Sequence, residues 1–300
     1  MSIHSRPIFF CKRKPSMSSR ELETTLLASS AGLGLRRELL PELAVMDAGS
    51  VDFLELAPEN WIGIGGRFAE QLKDLSQKFP ITLHGLSLNI GGPSELDIEL
   101  VKSIRDFIDR LRCPIYSEHL SYCGDHGHLY DLMPIPFRQD AIAYVADRVK
   151  QVQDILGQAI ALENVSYYAA PGQQMPETEF VAAVLEQSEC QLLLDVNNVY
   201  VNSINHRYDP IDFMRALPAE RVRYMHVAGH YNEAEDLRVD THGANVIDPV
   251  WELLRQAYQM FGVKPTLLER DFNFPPLPEL LDEVAMIADI QATAAAGAPA

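Results

Sequence analysis

Short apolar segments that each end in a polar residue recur along most of the chain. Six of them end in a side chain of a kind that binds metal ions, at residues 81–84, 114–119, 159–164, 191–195, 222–226 and 265–269. Two earlier segments, near residues 33–35 and 51–55, raise the number of predicted strands to about eight. A strand that is apolar up to its last residue is typical of a parallel sheet buried on both faces. In a barrel of such strands the carboxyl-terminal ends face the active site, so the pattern predicts barrel strands with polar tips.

Segments with helical periodicity lie between the predicted strands. They cover residues 67–78, 95–111, 139–156, 177–187, 210–217, 248–261 and 277–290. Ser94 precedes the second helix as its predicted N-cap, and Gly262 follows the sixth, where a C-cap glycine belongs. Strands that alternate with helices indicate a parallel sheet. Because Gly32-Leu33-Gly34 lacks the third glycine of a dinucleotide-binding loop, the alternation favours an α/β protein with a closed (β/α)8 TIM barrel over an open nucleotide-binding sheet.

The predicted barrel forms a single metal-binding domain over residues 31–290. Residues 1–30 are predicted to be a disordered N-terminal extension, because they show no periodic apolar face. Residues 291–300 consist mostly of small side chains and are predicted to be a flexible tail.

The net charge indicates which partners to expect, and the cysteine content indicates the cellular compartment. The formal net charge of −17 argues against a nucleic-acid groove and against an anionic membrane surface. No apolar run of about 18 residues is present, so no transmembrane helix is expected. The four cysteines form no Cys-x-x-Cys pair, and we expect reduced thiols in a cytoplasmic protein.

The strand tips and one loop supply a set of imidazole, carboxylate and amide groups. The candidate ligands are His84, His119, Glu163, Asp195, Asn198, His226, Asp240, His242 and Glu269. Asp240 and His242 are one residue apart, so both side chains lie on the same side of an extended loop. Nine ligands exceed what one zinc ion takes, and they suit two or three metal ions with bridging carboxylates. The absence of thiolate among them favours iron, manganese or zinc.

Each candidate also has a structural interpretation when it is taken alone. A single histidine at a strand end is commonly a hydrogen-bonded core residue, Glu163 could pair with Arg36, and Asn198 could be a turn residue. These interpretations must account for every strand tip separately, whereas one metal centre accounts for all of them.

Other polar residues near the strand tips are expected to contact the substrate. Asn60, which follows the second strand, is predicted to line the pocket, and His230 and Arg270 are predicted to bind substrate. Glu118 alternates with His119 and is therefore expected to point away from the metal ions.

Seven short motifs in combination resemble the multinuclear non-heme iron-dependent oxidative enzymes, a family also called domain of unknown function 692. They are L-H-G-L-S-L at residues 83–88, S-E-H-L at 117–120, L-E-N at 162–164, D-V-N-N at 195–198, M-H-V-A-G-H at 225–230, D-T-H at 240–242 and L-L-E-R-D at 267–271. The resemblance covers roughly residues 30–290. It implies a xylose-isomerase-like barrel that holds two or three iron ions and uses molecular oxygen. It also implies that the substrate is a cysteine residue in a ribosomally made precursor peptide, and that a companion protein binds the peptide leader.

The resemblance gives Asn198 a particular role. The barrel is also akin to endonuclease four, which has a histidine at the matching position of a comparable three-metal cluster. A neutral amide is the weaker ligand, which implies looser coordination of one ion and suits dioxygen better than a phosphate group. We therefore expect Asn198, Asp240 and His242 to be the catalytic residues. Two alternatives stay open: a zinc- or manganese-dependent isomerase or phosphodiesterase on the same barrel, and a non-catalytic metal-bound scaffold.

Overall fold

The structure is a computed structural model that describes residues 26–125 and 127–297. Its strands are β1 (Ala31–Gly34), β2 (Phe53–Leu56), β3 (Ile81–Gly85), β4 (Tyr116–His119), β5 (Ser121–Gly124), β6 (His128–Pro134), β7 (Ala161–Glu163), β8 (Gln191–Asp195), β9 (Val222–Ala228), β10 (Tyr231–Ala234), β11 (Leu237–Val239) and β12 (Thr266–Glu269). Eight of these strands pair in parallel and close into a barrel in the order β1-β2-β3-β4-β7-β8-β9-β12. The predicted (β/α)8 TIM barrel is therefore confirmed.

Nine α-helices lie within the described residues. They are α1 (Leu40–Val45), α2 (Gly66–Lys78), α3 (Ile98–Leu111), α4 (Gln139–Leu156), α5 (Glu177–Ser188), α6 (Val196–His206), α7 (Pro210–Arg215), α8 (Asp248–Phe261) and α9 (Leu277–Gly297). All seven predicted helices are present, and α1 and α6 were not predicted. Gly262 ends α8 with a φ of 74°, in the left-handed region where glycine is favoured.

The predicted N-cap of α3 was wrong. The helix begins at Ile98, because Asp97 accepts a hydrogen bond from the Leu100 amide at 2.9 Å. The Ser94 hydroxyl instead donates to the Asp125 carbonyl at 3.0 Å.

An apolar cluster, here called the plug, fills the inside of the barrel below the strand tips. It shows which side chains of each strand point into the barrel. It consists of Leu26, Phe53, Ile115, Ala161, Leu193, Tyr224 and Leu267. Alternate residues of a strand point to the same side. The side chains two residues beyond the plug, such as Asp195 after Leu193 and His226 after Tyr224, therefore point into the barrel directly above it. A second and larger apolar layer packs the outside of the strands against the helices.

Both predicted flexible ends are partly ordered. Residues 26–30 pack against the barrel, where the Ser30 carbonyl accepts hydrogen bonds from the Thr266 amide at 2.9 Å and the Gln291 side chain at 3.1 Å. Helix α9 extends to Gly297, because the alanine-rich sequence after residue 290 has high helix propensity. The rest of the predicted extension, residues 1–25, and residues 298–300 of the predicted tail lie outside the described residues.

Two antiparallel hairpins, which were not predicted, follow two of the barrel strands. β5 pairs with β6 after the tip of β4, and β10 pairs with β11 after the tip of β9. Their strands are short, and both pairings contain an irregular register, so no clean alternation marked them in the sequence. Within the residues that the structure describes, no helix is long and apolar enough to cross a membrane.

Candidate metal centre

Seven of the nine predicted ligands form three overlapping groups at the mouth of the barrel. Within each group the ligand atoms lie within 4.8 Å of one another. The groups are His84, His119 and Glu163; Glu163, Asp195 and His226; and Asp195, His242 and Glu269. Glu163 belongs to the first two groups and Asp195 to the last two, so the arrangement offers three adjacent positions joined by two shared carboxylates.

In the first group, two imidazoles and one carboxylate converge. Glu163 Oε2 lies 2.9 Å from His84 Nε2 and 3.3 Å from His119 Nε2, and the two imidazole nitrogens are 3.1 Å apart. The opposite ring nitrogens are held by the protein. His84 Nδ1 lies 2.8 Å from the Ser117 hydroxyl, and His119 Nδ1 lies 2.9 Å from the Gly85 carbonyl. These contacts orient both Nε2 atoms toward Glu163.

The other two groups share Asp195, and Glu269 of the third group lies close to the histidines of both. Glu269 Oε2 lies 3.1 Å from His226 Nδ1 and 3.5 Å from His242 Nδ1. Asp195 Oδ1 accepts a hydrogen bond from the backbone N–H of Asn198 at 2.6 Å. The other oxygen, Oδ2, is buried without a hydrogen-bond partner among the described residues. Arg36 binds Glu269 at 3.2 Å and Asp271 at 2.5 Å, so its partner is not Glu163.

The two remaining predicted ligands lie at the edge of the cluster. Asp240 Oδ1 is 2.8 Å from His242 Nε2, and its carboxylate is held by Asn197 at 2.9 Å and Ser166 at 3.0 Å. Asn198 donates to Glu163 Oε1 at 3.0 Å. Its carbonyl oxygen, Oδ1, is buried and accepts no hydrogen bond from the described residues. The structure therefore brings all nine predicted residues to one place.

The spacing and the unpaired atoms in this cluster fit metal ions. Adjacent ligand atoms on an ion with bonds of about 2.1 Å lie about 3.0–3.4 Å apart, and the contacts of the first group range from 2.9 to 3.3 Å. Five buried ligand atoms have no hydrogen-bond partner in the described chain: Glu163 Oε2, Asp195 Oδ2, Asn198 Oδ1, His226 Nε2 and His242 Nε2. Unpaired buried polar atoms are costly unless something binds them. Nitrogen and oxygen donors without thiolate suit iron, manganese or zinc.

Burial and the neighbouring charges shift the pKa values of the cluster residues in different directions. Burial disfavours a charged imidazole, but the Glu163 and Glu55 carboxylates together outweigh burial and raise the pKa of His84 to about 9. Burial and the neighbouring His84 charge lower the pKa of His119 to about 4. Burial and the Glu163 charge raise the pKa of Asp195 well above its ordinary value. A bound cation would take over the balancing role of these protons, because it favours neutral imidazoles and ionised carboxylates.

The three predicted substrate contacts have different surroundings. Asn60 lines a cavity of 980 Å³ above the cluster. His230 is buried beside the cluster and contacts Asn197 through Nδ1 at 2.8 Å. Arg270 is 3% exposed and its guanidinium binds Glu283 on α9 at 3.0 Å and Asn245 at 2.9 Å. Its role as a substrate contact stays a prediction, and in the structure Nη2 of its guanidinium binds both of these partners.

Several residues of the site were missed by sequence reasoning. Glu55 at the end of β2 lies 2.9 Å from His226 Nε2. The Ser117 hydroxyl connects His84 to the phenol of Tyr224. Asp271 lies 3.2 Å from His242 Nδ1. Glu55 and Ser117 could have been found, because each is two residues past a plug residue of its strand.

A parallel barrel with imidazoles and carboxylates clustered at the carboxyl ends of its strands defines a xylose-isomerase-like TIM-barrel protein with a candidate multinuclear metal centre. Among solved structures, a 3-keto-D-glucoside 4-epimerase from E. coli superposes with a TM-score of 0.59 at 13% identity, covering 86% of this chain and 98% of its own. A xylose isomerase domain protein from Planctomyces limnophilus gives 0.53 at 14% identity, covering 88% and 95%. At these identities the likeness shows the fold alone.

The sequence matches identify the family. Residues 30–292 match the family described as "RiPP precursor modification enzyme MbnB/TglH/ChrH", where RiPP denotes a ribosomally synthesised and post-translationally modified peptide. A UPF0276 protein of Nitrosospira multiformis is 60% identical over 262 residues, which cover 87% of this chain and 93% of that protein. The chain therefore belongs to the MbnB/TglH/ChrH family, as its motifs predicted, and the family and the fold indicate an enzyme.

Proposed function

We propose that the protein is a multinuclear iron-dependent oxidase that modifies cysteine residues of a ribosomally made precursor peptide with molecular oxygen. The observation that carries the proposal is the chain of three ligand groups joined by Glu163 and Asp195. Its donors are imidazole and carboxylate groups, which suit an oxygen-activating iron centre. The family membership supports a peptide as the substrate.

The nine clustered residues would hold the ions. His84, His119 and Glu163 would hold the first, and Glu163, Asp195, His226 and Glu269 the second. Asp195, His242 and Glu269 would hold the third, with Asp240 beside His242, and Asn198 would add its free carbonyl oxygen beside Glu163. Bound iron would supply reversible one-electron chemistry and an open position for thiolate and oxygen.

The chain's own residues position the ligands and admit the substrate. Asp240 is fixed from three directions, because its backbone amide also donates to the Tyr168 hydroxyl at 3.1 Å. The cavity above the cluster is lined by Trp61 and Leu86 and by Tyr122 and Met133 of the β5–β6 hairpin. Apolar walls around a polar floor suit an extended peptide that delivers one polar side chain to the ions.

The proposal includes a cytoplasmic location and a companion protein that binds the peptide leader. The companion protein is implied by the family resemblance, and the location is supported by the reduced state expected of the cysteines. Cys113, Cys123 and Cys190 are buried and free, and Cys11 lies outside the described residues.

Metal analysis and peptide mass spectrometry test the proposal. Protein purified without oxygen should carry about two to three iron ions per chain. With a cysteine-bearing peptide encoded beside the gene, the loaded protein should change the mass of the peptide at cysteine only when oxygen is added. His226→Ala and Asp240→Ala should lose iron and activity, while His206→Ala should lose neither, because His206 lies outside the ligand groups and contacts the Tyr167 carbonyl. A single tightly held zinc ion with no iron would contradict the oxidase assignment and favour hydrolytic or isomerase chemistry.

A further inference from the structure

Glu55 is a buried carboxylate that faces the candidate metal centre and is absent from the predicted ligand set. It lies two residues beyond the plug residue Phe53 and is therefore directed into the barrel. It is 2% exposed. Its Oε1 atom lies 2.9 Å from His226 Nε2, and its Oε2 atom accepts the Thr82 hydroxyl at 3.0 Å.

His226 is the histidine whose two ring nitrogens both meet carboxylates. Nδ1 faces Glu269, which is a member of the third ligand group. Nε2 faces Glu55, which joins none of the ligand groups found among residues 26–125 and 127–297. The two nitrogens therefore face different carboxylates, with Glu269, a member of a ligand group, on the Nδ1 side and Glu55 on the Nε2 side.

An imidazole that binds a metal through one nitrogen carries a proton on the other, and a carboxylate that accepts this proton fixes the tautomer and the ring plane. The Nε2–H direction is not aligned with Glu55 Oε1 in the structure, and Nε2 meets no hydrogen-bond acceptor in better geometry within the described chain. Glu55 Oε1, which lies 2.9 Å away, is therefore the acceptor available to a proton on Nε2. The rings of Tyr224 and His84 stand edge-on to His226, with centroids at 5.3 and 5.1 Å, and restrict its rotation further.

We propose that Glu55 is a positioning residue that holds His226 in the tautomer protonated at Nε2, so that Nδ1 binds the middle ion. The inference rests on the metal centre proposed above. It concerns the position with the most shared ligands, because both Glu163 and Asp195 belong to the group of His226. A loosely held His226 would therefore disturb the ion between the two outer positions.

Nitrogen NMR of histidine-labelled protein loaded with zinc, a diamagnetic substitute for iron, tests the tautomer directly. In the wild type, His226 should show a proton on Nε2 and a metal-shifted Nδ1. Glu55→Ala should lose the slowly exchanging Nε2 proton. Titration of the metal-free proteins with Co²⁺ should show the same number of sites in both, with one site weakened about 10- to 100-fold in Glu55→Ala, the range typical for loss of such a partner.

Two control variants distinguish a positioning role of Glu55 from a purely electrostatic role. Glu55→Gln keeps an oxygen that accepts from Nε2 and an amide that can donate to Thr82, so it should retain the Nε2 proton and most of the Co²⁺ affinity. Glu118→Gln removes an equally buried carboxylate that instead accepts the Tyr116 hydroxyl at 2.7 Å, and it should leave the His226 signals unchanged.

Three outcomes would overturn the inference. Loss of a whole Co²⁺ site in Glu55→Ala would show that Glu55 is itself a metal ligand. An equal loss of Co²⁺ affinity in Glu55→Gln and Glu55→Ala would show that Glu55 contributes only its negative charge. Unchanged affinity and unchanged His226 signals in Glu55→Ala would leave it without a role at the centre. Failure of the wild type to bind any metal would instead contradict the proposed function, so the two failures are distinguishable.

Discussion

Asn198 and Asn202 offer a matched test of whether the amide of Asn198 binds a metal ion. Both lie on α6, one turn apart, and they are 2% and 1% exposed. Asn198 donates to Glu163 Oε1 at 3.0 Å and to the Asn164 carbonyl at 3.1 Å. Asn202 donates to the Val165 carbonyl at 3.0 Å and accepts the Tyr167 amide at 3.1 Å. The two differ in that Asn198 alone has a buried carbonyl oxygen without a partner in the described chain.

Truncation of either residue to alanine removes two buried hydrogen bonds and leaves their partners unpaired. Each such loss costs about 1–2 kcal/mol, so each variant should be about 2–4 kcal/mol less stable. For a domain of this size, 1 kcal/mol corresponds to about 2–4 °C, which gives a drop in melting temperature of roughly 5–15 °C for both metal-free proteins. The iron content should distinguish the two variants. Asn198→Ala should lose part of the iron and most of the activity, whereas Asn202→Ala should keep its iron.

The assay is iron content measured beside the melting temperature and the oxygen-dependent loss of peptide cysteine. Asn198→His serves as a third variant, because imidazole is the stronger ligand. It should bind metal as well as the wild type or better and turn over more slowly, since the open position is needed for catalysis. Full iron content in Asn198→Ala, with the stability loss seen in Asn202→Ala, would mean that Asn198 is a structural residue and that the cluster has eight ligands.

Three further predictions follow from particular contacts. Because Glu163 is shared by two ligand groups and His119 belongs to one, Glu163→Ala should lose about two ions per chain and His119→Ala about one; equal losses measured by elemental analysis would contradict the sharing. Burial raises the pKa of Glu177 from 4.5 to about 8, so its contribution to stability is present below pH 4.5 and is lost as the pH rises to about 8. The melting temperature should consequently fall less between pH 5 and pH 8 in Glu177→Gln than in the wild type, and the exposed Glu179→Gln should follow the wild type. Asp240→Asn should weaken one Co²⁺ site in a titration while the hydrogen bond from Ser166 keeps the loop in place, and unchanged Co²⁺ binding would remove Asp240 from the ligand set.

The sequence was sufficient for the barrel and for most of the site because both depend on local pattern. An apolar strand that must be buried on two faces leaves its tip as the only place for a polar group, so His84, Asp195 and Glu269 stood out. The contacts of Arg270 could not be predicted from this pattern. This residue follows a strand tip as a ligand would, but it points to the neighbouring side and reaches Glu283, a partner 13 residues away on α9. Such pairing depends on tertiary packing and cannot be predicted from the sequence of the strand.

Helix α6 shows why the remaining part of the site was hidden. Its sequence is Val-Asn-Asn-Val-Tyr-Val-Asn-Ser-Ile-Asn-His, in which β-branched residues and asparagines disfavour a helix. The helix forms because Asp195 caps it with Oδ1, which leaves Oδ2 free to face the ligands of the neighbouring groups.

The asparagines that weaken α6 are the residues that build the site around it. Asn197 holds Asp240, Asn198 holds Glu163, and Asn202 holds the loop after β7 through Val165 and Tyr167. Each places a short amide where a better helix former, such as leucine or alanine, would offer no hydrogen bond. Local propensity and tertiary function therefore conflict in this helix, and such a conflict is expected where side chains are retained for the chemistry they support. A substitution that improves the helix propensity of α6 at Asn197 or Asn198 should therefore weaken the metal centre, whereas one at Asn202 should lower the stability of the loop after β7.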